Sequence, residues 1–178
     1  MNFDKKELLA TLASSVEQHL DLAVSSFQNQ PEPVLVQPSS TGGWSIAQCL
    51  DHLNSYADYY LPHLHKALQP TGNSSDIIFK SGWLGNYFAN MMEPSEKKYK
   101  AFKGHVPKQD LDAYAVVAKF IDQQEDLLQL LQTAADRNLG GRIPITIFPL
   151  IRLKAGDVFR FLIAHDERHV QQALRNLA

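Results

Sequence analysis

Asp157-Val158-Phe159-Arg160-Phe161-Leu162-Ile163-Ala164-His165-Asp166-Glu167-Arg168-His169-Val170-Gln171-Gln172-Ala173 is the stretch on which the fold turns. Val158, Phe161, Leu162, His165, His169, Gln172 and Ala173 recur at helical spacing, and Asp157 after Gly156 marks a start, so the pattern predicts a helix from Asp157 to about Leu177. His165 and His169 stand one turn apart on the same face of that helix. At ~100° per residue they fall among Val158, Phe161 and Leu162, so both imidazoles point into a core. A helix that buries such a face requires partner helices.

Moving towards the N-terminus, those partners are legible. Leu8, Leu12, Val16, Leu20, Ala23, Val24 and Phe27 predict a first helix over about Phe3 to Gln28. Pro31, Pro33, Pro38 and the run Ser39-Ser40-Thr41-Gly42-Gly43 argue against a helix before Trp44. Ser45 is an N-cap candidate for a second helix reaching about Leu68, with Pro62 inside it. The Pro-, Gly- and Ser-rich segment from Gln69 to about Val106 reads as an insertion covering the bundle, with one short amphipathic helix around Trp83, Leu84, Tyr87, Phe88, Met91 and Met92. A third long helix is expected from Pro107 or Lys108 to about Ala135. Arg142 to Leu153 is β-branched but carries Pro144 and Pro149, which argues for an extended connection and against a central strand. The fold class is therefore all-α: one domain over residues 1–178, four long helices in a bundle, and a short-helix insertion between the second and third.

The chain has 178 residues, 44% apolar and 20% charged, with a net charge of −2. That composition supports a buried core, and it lacks the basic field that nucleic acid requires. The longest apolar stretches fall well short of the ~20 residues that span a bilayer, and the start, Met1-Asn2-Phe3-Asp4-Lys5-Lys6-Glu7, has no secretory signature. No nucleic acid, no membrane and a cytoplasmic location are the expectations. Cys49 is the single cysteine, so a metal site must use histidine and carboxylate. At an apolar helix position Cys49 itself reads as a small buried hydrophobe.

Two inward histidines can equally be a hydrogen-bonded core pair, and two imidazoles seldom hold a divalent ion, so a metal reading needs a third ligand on another helix. His52, at the margin of the second helix's apolar stripe beside Tyr56, is the best candidate. His63 lies ~16 Å further along that helix and cannot share the ion. His65, His19 and His105 read as solvated, on polar faces or in the insertion. Asp166 is a candidate to orient a ligand, Glu167 reads as part of a solvated face, Tyr56 and Tyr60 as pocket or core, and Trp83 and Phe88 as walls of a pocket mouth.

Trp44-Ser45 opening a helix, Leu50-Asp51-His52-Leu53 one to two turns later, and the final His165-Asp166-Glu167-Arg168-His169-Val170-Gln171-Gln172 together resemble the DinB-like superfamily, over nearly the whole chain. That group includes bacterial damage-inducible proteins and metal-dependent thiol transferases. The resemblance implies an up-up-down-down four-helix bundle, a three-histidine metal site at His52, His165 and His169, and a homodimer. Relatives are similar to bacillithiol S-transferases and mycothiol-dependent isomerases, which implies a divalent ion, a low-molecular-weight thiol cofactor and a small-molecule substrate. Imidazole ligands suit zinc, nickel and iron alike. No motif marks catalytic or thiol-binding residues. The expected activity is a metal-dependent hydrolase or S-transferase; the alternatives are a metal-binding, stress-associated bundle whose ion only staples helices, and a bundle without metal.

Overall fold

Asp4 caps the first helix by accepting a hydrogen bond from the Glu7 N–H at 2.9 Å, and α1 runs Lys5–Leu22 before one wider, π-type turn over Ala23–Phe27. The computed structural model describes residues 1–40, 42–69, 76–93 and 100–177; Thr41 in the first loop and residues 70–75 and 94–99 of the insertion lie outside the described residues. Phe3, expected in the helix, instead belongs to β1 (Asn2–Asp4), paired antiparallel with β2 (Ile78–Lys80) so that Phe3 faces Phe79. The Arg160 guanidinium lies over the Phe3 ring at 4.4 Å, a cation–π contact that a helical start would forfeit. The proline-rich loop also departs from expectation, holding α2 (Glu32–Val36). Pro33 sits in its first turn, where a missing N–H costs no intrahelical bond.

α3 (Ile46–Ala67) starts as predicted, with a capping box in which Ser45 Oγ accepts from the Gln48 N–H and Gln48 Oε1 accepts from the Ser45 N–H. It continues through Pro62. The insertion's short helix is α4 (Trp83–Met92). α5 (Ala113–Ala134) begins later than Pro107 or Lys108, because Asp112 is the residue that caps it, accepting from the Ala115 N–H at 3.0 Å. The connection from Arg142 is not merely extended. It folds into an antiparallel hairpin, β3 (Arg142–Ile145) and β4 (Phe148–Lys154), whose register breaks beside Pro144, where the ladder lacks a donor. α6 (Ala155–Leu174) follows directly.

α1, α3, α5 and α6 form the four-helix bundle. Their directions follow from the contacts. Asn54, Asp58 and His65 of α3 bond in turn to Val116, Lys119 and Asp126 of α5, so those two helices are parallel. Along α3 and α6, His52 meets His169 and Tyr60 meets Phe161, which makes them antiparallel. Lys5 bonds to Arg137 and Glu32 to Tyr114, so α1 opposes α5. The order is up, down, down, up, in place of the up-up-down-down arrangement implied by resemblance. Parallel α3 and α5 oblige the chain between them to travel back along the bundle, which is why the long insertion lies there.

Apolar side chains form two clusters, one around Tyr60, Leu64, Leu127, Leu131, Phe159 and Leu162, the other around Phe27, Leu35, Ile46, Leu50, Phe120 and Val170. Between them every bundle helix contributes buried polar residues: His19, His52 and Asn54, Gln123 and Gln124, His165 and Asp166. Burying polar groups is costly unless they are satisfied. Yet His19 Nδ1, Asn54 Oδ1, Gln123 Oε1, Gln124 Oε1 and His165 Nδ1 have no hydrogen-bond partner among the described residues. The site lies in this belt.

α4 is fastened to the start of α6 by the buried Asp157, which accepts from Ser81 Oγ at 2.5 Å and the Gly82 N–H at 3.0 Å and pairs with Arg160 at 3.7 Å. Gly156 allows Phe79 to close over the same corner, since a Cβ there would fall 2.6 Å from the ring. Gly156→Ala should therefore cost about 1–3 kcal/mol through overpacking. In thermal unfolding that corresponds to a midpoint lowered by roughly 2–4 °C per kcal/mol for a chain of this size. Among the described residues, no helix is long and apolar enough to cross a membrane.

Candidate metal centre

His52 is carried by α3, His165 and His169 by α6, and the antiparallel packing of the two helices brings the three rings together. Ring centroids are 5.0 Å apart for His52 and His165, 4.7 Å for His52 and His169, and 4.8 Å for His165 and His169. One ring nitrogen from each lies within 4.8 Å of the others. His52 Nε2 and His165 Nε2 stand 3.1 Å apart. His52 Nδ1 donates to the His105 carbonyl at 2.6 Å, and His169 Nδ1 donates to Gln172 Oε1 at 3.0 Å. Each donation leaves the Nε2 lone pair of its ring for the shared centre. A carbonyl or amide oxygen on the far nitrogen is the usual support of a metal-binding histidine.

Burial depresses all three imidazoles: His52 to about 4, His169 to about 3 and His165 well below the ordinary imidazole range, with neighbouring imidazoles adding to the effect on His165 and His169. The rings are neutral at physiological pH, and neutral imidazole is the form that ligates. Three convergent nitrogens, two with oriented tautomers, fit a divalent ion such as zinc, nickel or iron. Among the described residues no carboxylate joins the group.

Trp44 roofs the triad, its ring 4.9 Å from that of His52 and 5.6 Å from that of His169, and its carbonyl accepts from Asn176 Nδ2. The Trp-Ser pair thus has two tasks, covering the histidines and capping their helix. On the other side, Tyr56 contacts the His165 ring edge-on at 4.6 Å and Phe161 stacks on it at 5.8 Å. Both also line an apolar recess completed by Tyr60, Phe88, Met91, Met92 and the hairpin residues Ile145 to Ile147.

Other residues depart from expectation. His19 and His105, read as solvated, are 0% and 9% exposed. His19 Nε2 pairs with Glu167 at 2.9 Å, so Glu167, itself partly exposed, reaches in to a buried ring and is not part of a free polar face. Asp166 bonds to Gln124 at 3.0 Å and its carboxyl is pushed up to about 6 by burial; it supports the α6–α5 contact and holds no triad imidazole. Trp83 is 82% exposed and is not among the described residues that line the apolar recess, whereas Phe88 is. His63 bonds to the Tyr59 carbonyl and His65 to Asp126, apart from the triad as expected. The His105 carbonyl bonds to His52, and the His105 ring to Ser55 and Thr146; sequence reasoning missed these contacts because a backbone carbonyl, and hydroxyls brought together from distant segments, have no residue signature.

Cys49 is buried, and burial pushes its thiol up to about 12. A disulfide reagent at pH 8 should leave it unmodified in the folded protein and titrate one thiol per chain after denaturation, since the thiolate is the reactive form.

The chain belongs to the DinB superfamily, whose family model matches residues 5–173. Among solved structures it is similar to YfiT from Bacillus subtilis, described as a probable metal-dependent hydrolase with an unusual four-helix bundle topology, at 15% identity over 97% of this chain and 85% of that chain, with a TM-score of 0.56. At this identity the likeness shows the fold. No curated protein matches the chain.

Proposed function

We propose that His52, His165 and His169 hold one divalent metal ion and that the chain is a metal-dependent enzyme acting on a small molecule, as a hydrolase or as an S-transferase using a low-molecular-weight thiol. The observation that carries this reading is the convergence of three neutral imidazoles with two Nδ1 atoms already tied to oxygen acceptors. The chemistry such an ion supplies is Lewis acidity, which makes a water or thiol nucleophilic near neutral pH. The protein's own part is to hold the Nε2 lone pairs in place, to cover them with Trp44, and to keep water off one side with Tyr56 and Phe161. The YfiT description favours hydrolysis, and the thiol transferases among DinB-like proteins favour S-transfer.

A non-catalytic staple is the second reading. A closed, four-ligand site would favour it, and the grouping of three histidines, with no carboxylate joining them among the described residues, supports the catalytic reading instead. The test is elemental analysis of purified chain after exposure to zinc or nickel. One ion per chain is expected, falling to near zero in His52→Ala; a wild-type protein that takes up neither metal sinks the proposal. Loaded protein is then assayed with bacillithiol, mycothiol or glutathione and electrophilic acceptors, and with ester and amide substrates. Metal-dependent turnover in one set assigns the class, and none in either leaves the staple.

A further inference from the structure

We propose that His105, which is not among the convergent imidazoles, is a positioning residue for the metal centre: it fixes the tautomer and ring orientation of His52 and ties that ligand to the insertion and the β3–β4 turn. The inference rests on the reading of His52 as a ligand. Residues Lys103–His105 form a single tight turn closed by the His105 N–H on the Phe102 carbonyl at 2.8 Å, which presents the His105 carbonyl to α3. His52 Nδ1 donates to that carbonyl at 2.6 Å.

The His105 ring is held in its turn. Ser55 Oγ donates its one proton to the His52 carbonyl at 2.7 Å, so at its 2.8 Å contact with His105 Nδ1 the hydroxyl accepts. His105 therefore carries its proton on Nδ1, and its bare Nε2 accepts from Thr146 Oγ1 at 2.9 Å. The ring also stacks on Tyr56 at a centroid distance of 3.9 Å. His52 and His105 are thus joined twice, ring to carbonyl and ring through Ser55 to carbonyl. This closed circuit leaves His52 one tautomer, with the proton on Nδ1 and the lone pair on Nε2. Thr146 lines the apolar recess, so the same contacts fasten one wall of the recess to a metal ligand.

The test combines a tautomer measurement with metal affinity. In metal-stripped, full-length protein with ¹⁵N-labelled histidine, long-range ¹H–¹⁵N spectra should show both His52 and His105 protonated on Nδ1. His105→Phe keeps the stacked ring and the backbone carbonyl but loses the ring's hydrogen bonds to Ser55 and Thr146, so the turn that presents the carbonyl is no longer held; it should let the His52 tautomers mix and weaken zinc binding, measured by chelator competition, by about 10–100-fold, the usual effect of removing support behind a ligand. Ser55→Ala, a milder change, should move both readouts the same way. His105→Asn, whose amide N–H can replace Nδ1 towards Ser55, should restore most of the affinity. A His52 ring protonated on Nε2, or folded His105→Phe and Ser55→Ala proteins that bind zinc within twofold of wild type, would overturn the proposal. Should wild-type protein bind no zinc at all, the metal reading fails, and the tautomers alone decide whether His105 sets His52.

Discussion

Replacing His165 by alanine is expected to lower affinity for the divalent ion by about 10²–10³-fold while leaving the metal-free protein folded. Structural sites of about four ligands bind with roughly 10–16 kcal/mol, or about 3–4 kcal/mol per ligand, and that share corresponds to such a factor. The metal-free protein should change little, because two effects oppose each other. Removing a buried ring leaves a cavity, which destabilises. The same change removes His165 Nδ1, a buried polar atom with no partner among the described residues, whose desolvation also costs free energy. The checking measurement is thermal unfolding with and without zinc. At a hundredfold excess of metal over the dissociation constant, wild type should gain about 2.7 kcal/mol, which is roughly 5–10 °C for a chain of this size. His165→Ala should gain almost nothing. A metal-induced shift as large as that of wild type would show that the ion binds elsewhere.

His165 and His169 were legible because both lie on one helix, where spacing alone sets direction. His52 was legible less directly, from its margin position on a different helix. The supports behind these rings were not, since the groups involved are a carbonyl at residue 105 and a hydroxyl at Thr146, brought in by an irregular segment and a hairpin turn. The same contrast runs through the fold. Helices with strong apolar periodicity appear close to where the pattern puts them, and Ser45 caps α3 as read. The short strands escaped prediction because each makes sense only with a partner distant in sequence, as Phe3 does with Phe79. Helix direction was not legible: the resemblance implied up-up-down-down, in which α3 and α5 would be antiparallel, and the contacts make them parallel. The longest connection lies between α3 and α5, and a connection of that length suits parallel neighbours better than antiparallel ones.

The buried belt explains why His19 was misread. Read from sequence, His19 lies towards a polar face, but its position three residues after Val16 falls on the stripe of α1 that faces the core. Here it meets Glu167, between His165 and His169, while Gln124 of α5 meets Asp166. Contacts from two other helices therefore engage the residues between His165 and His169, and set the rotation of α6 that aims both imidazoles at α3.

The largest loss of stability is expected from Asp157→Ala. The Asp157 carboxylate is fully buried, accepts from the Ser81 hydroxyl and the Gly82 N–H, and faces the largely buried Arg160 guanidinium. Truncation leaves the Gly82 N–H and the Ser81 hydroxyl without that acceptor and the Arg160 cation without its counter-charge, and removal of one partner from a buried pair costs about 3–5 kcal/mol. Denaturant unfolding should show this as a lower midpoint. The functional consequence differs from that of losing a ligand. Asp157 lies eight residues before His165, or about 12 Å along the helix axis. Loosening α4 disturbs Phe88, Met91 and Met92 in the recess, while the hydrogen bonds behind His52 and His169 are untouched. Asp157→Ala should accordingly retain one metal ion per chain at temperatures where it is folded, yet bind or turn over a small apolar substrate less well. A variant that lost its metal while still folded would show that α4 and the metal centre form one unit, and that the clasp at Asp157 supports the ligands as well as the recess.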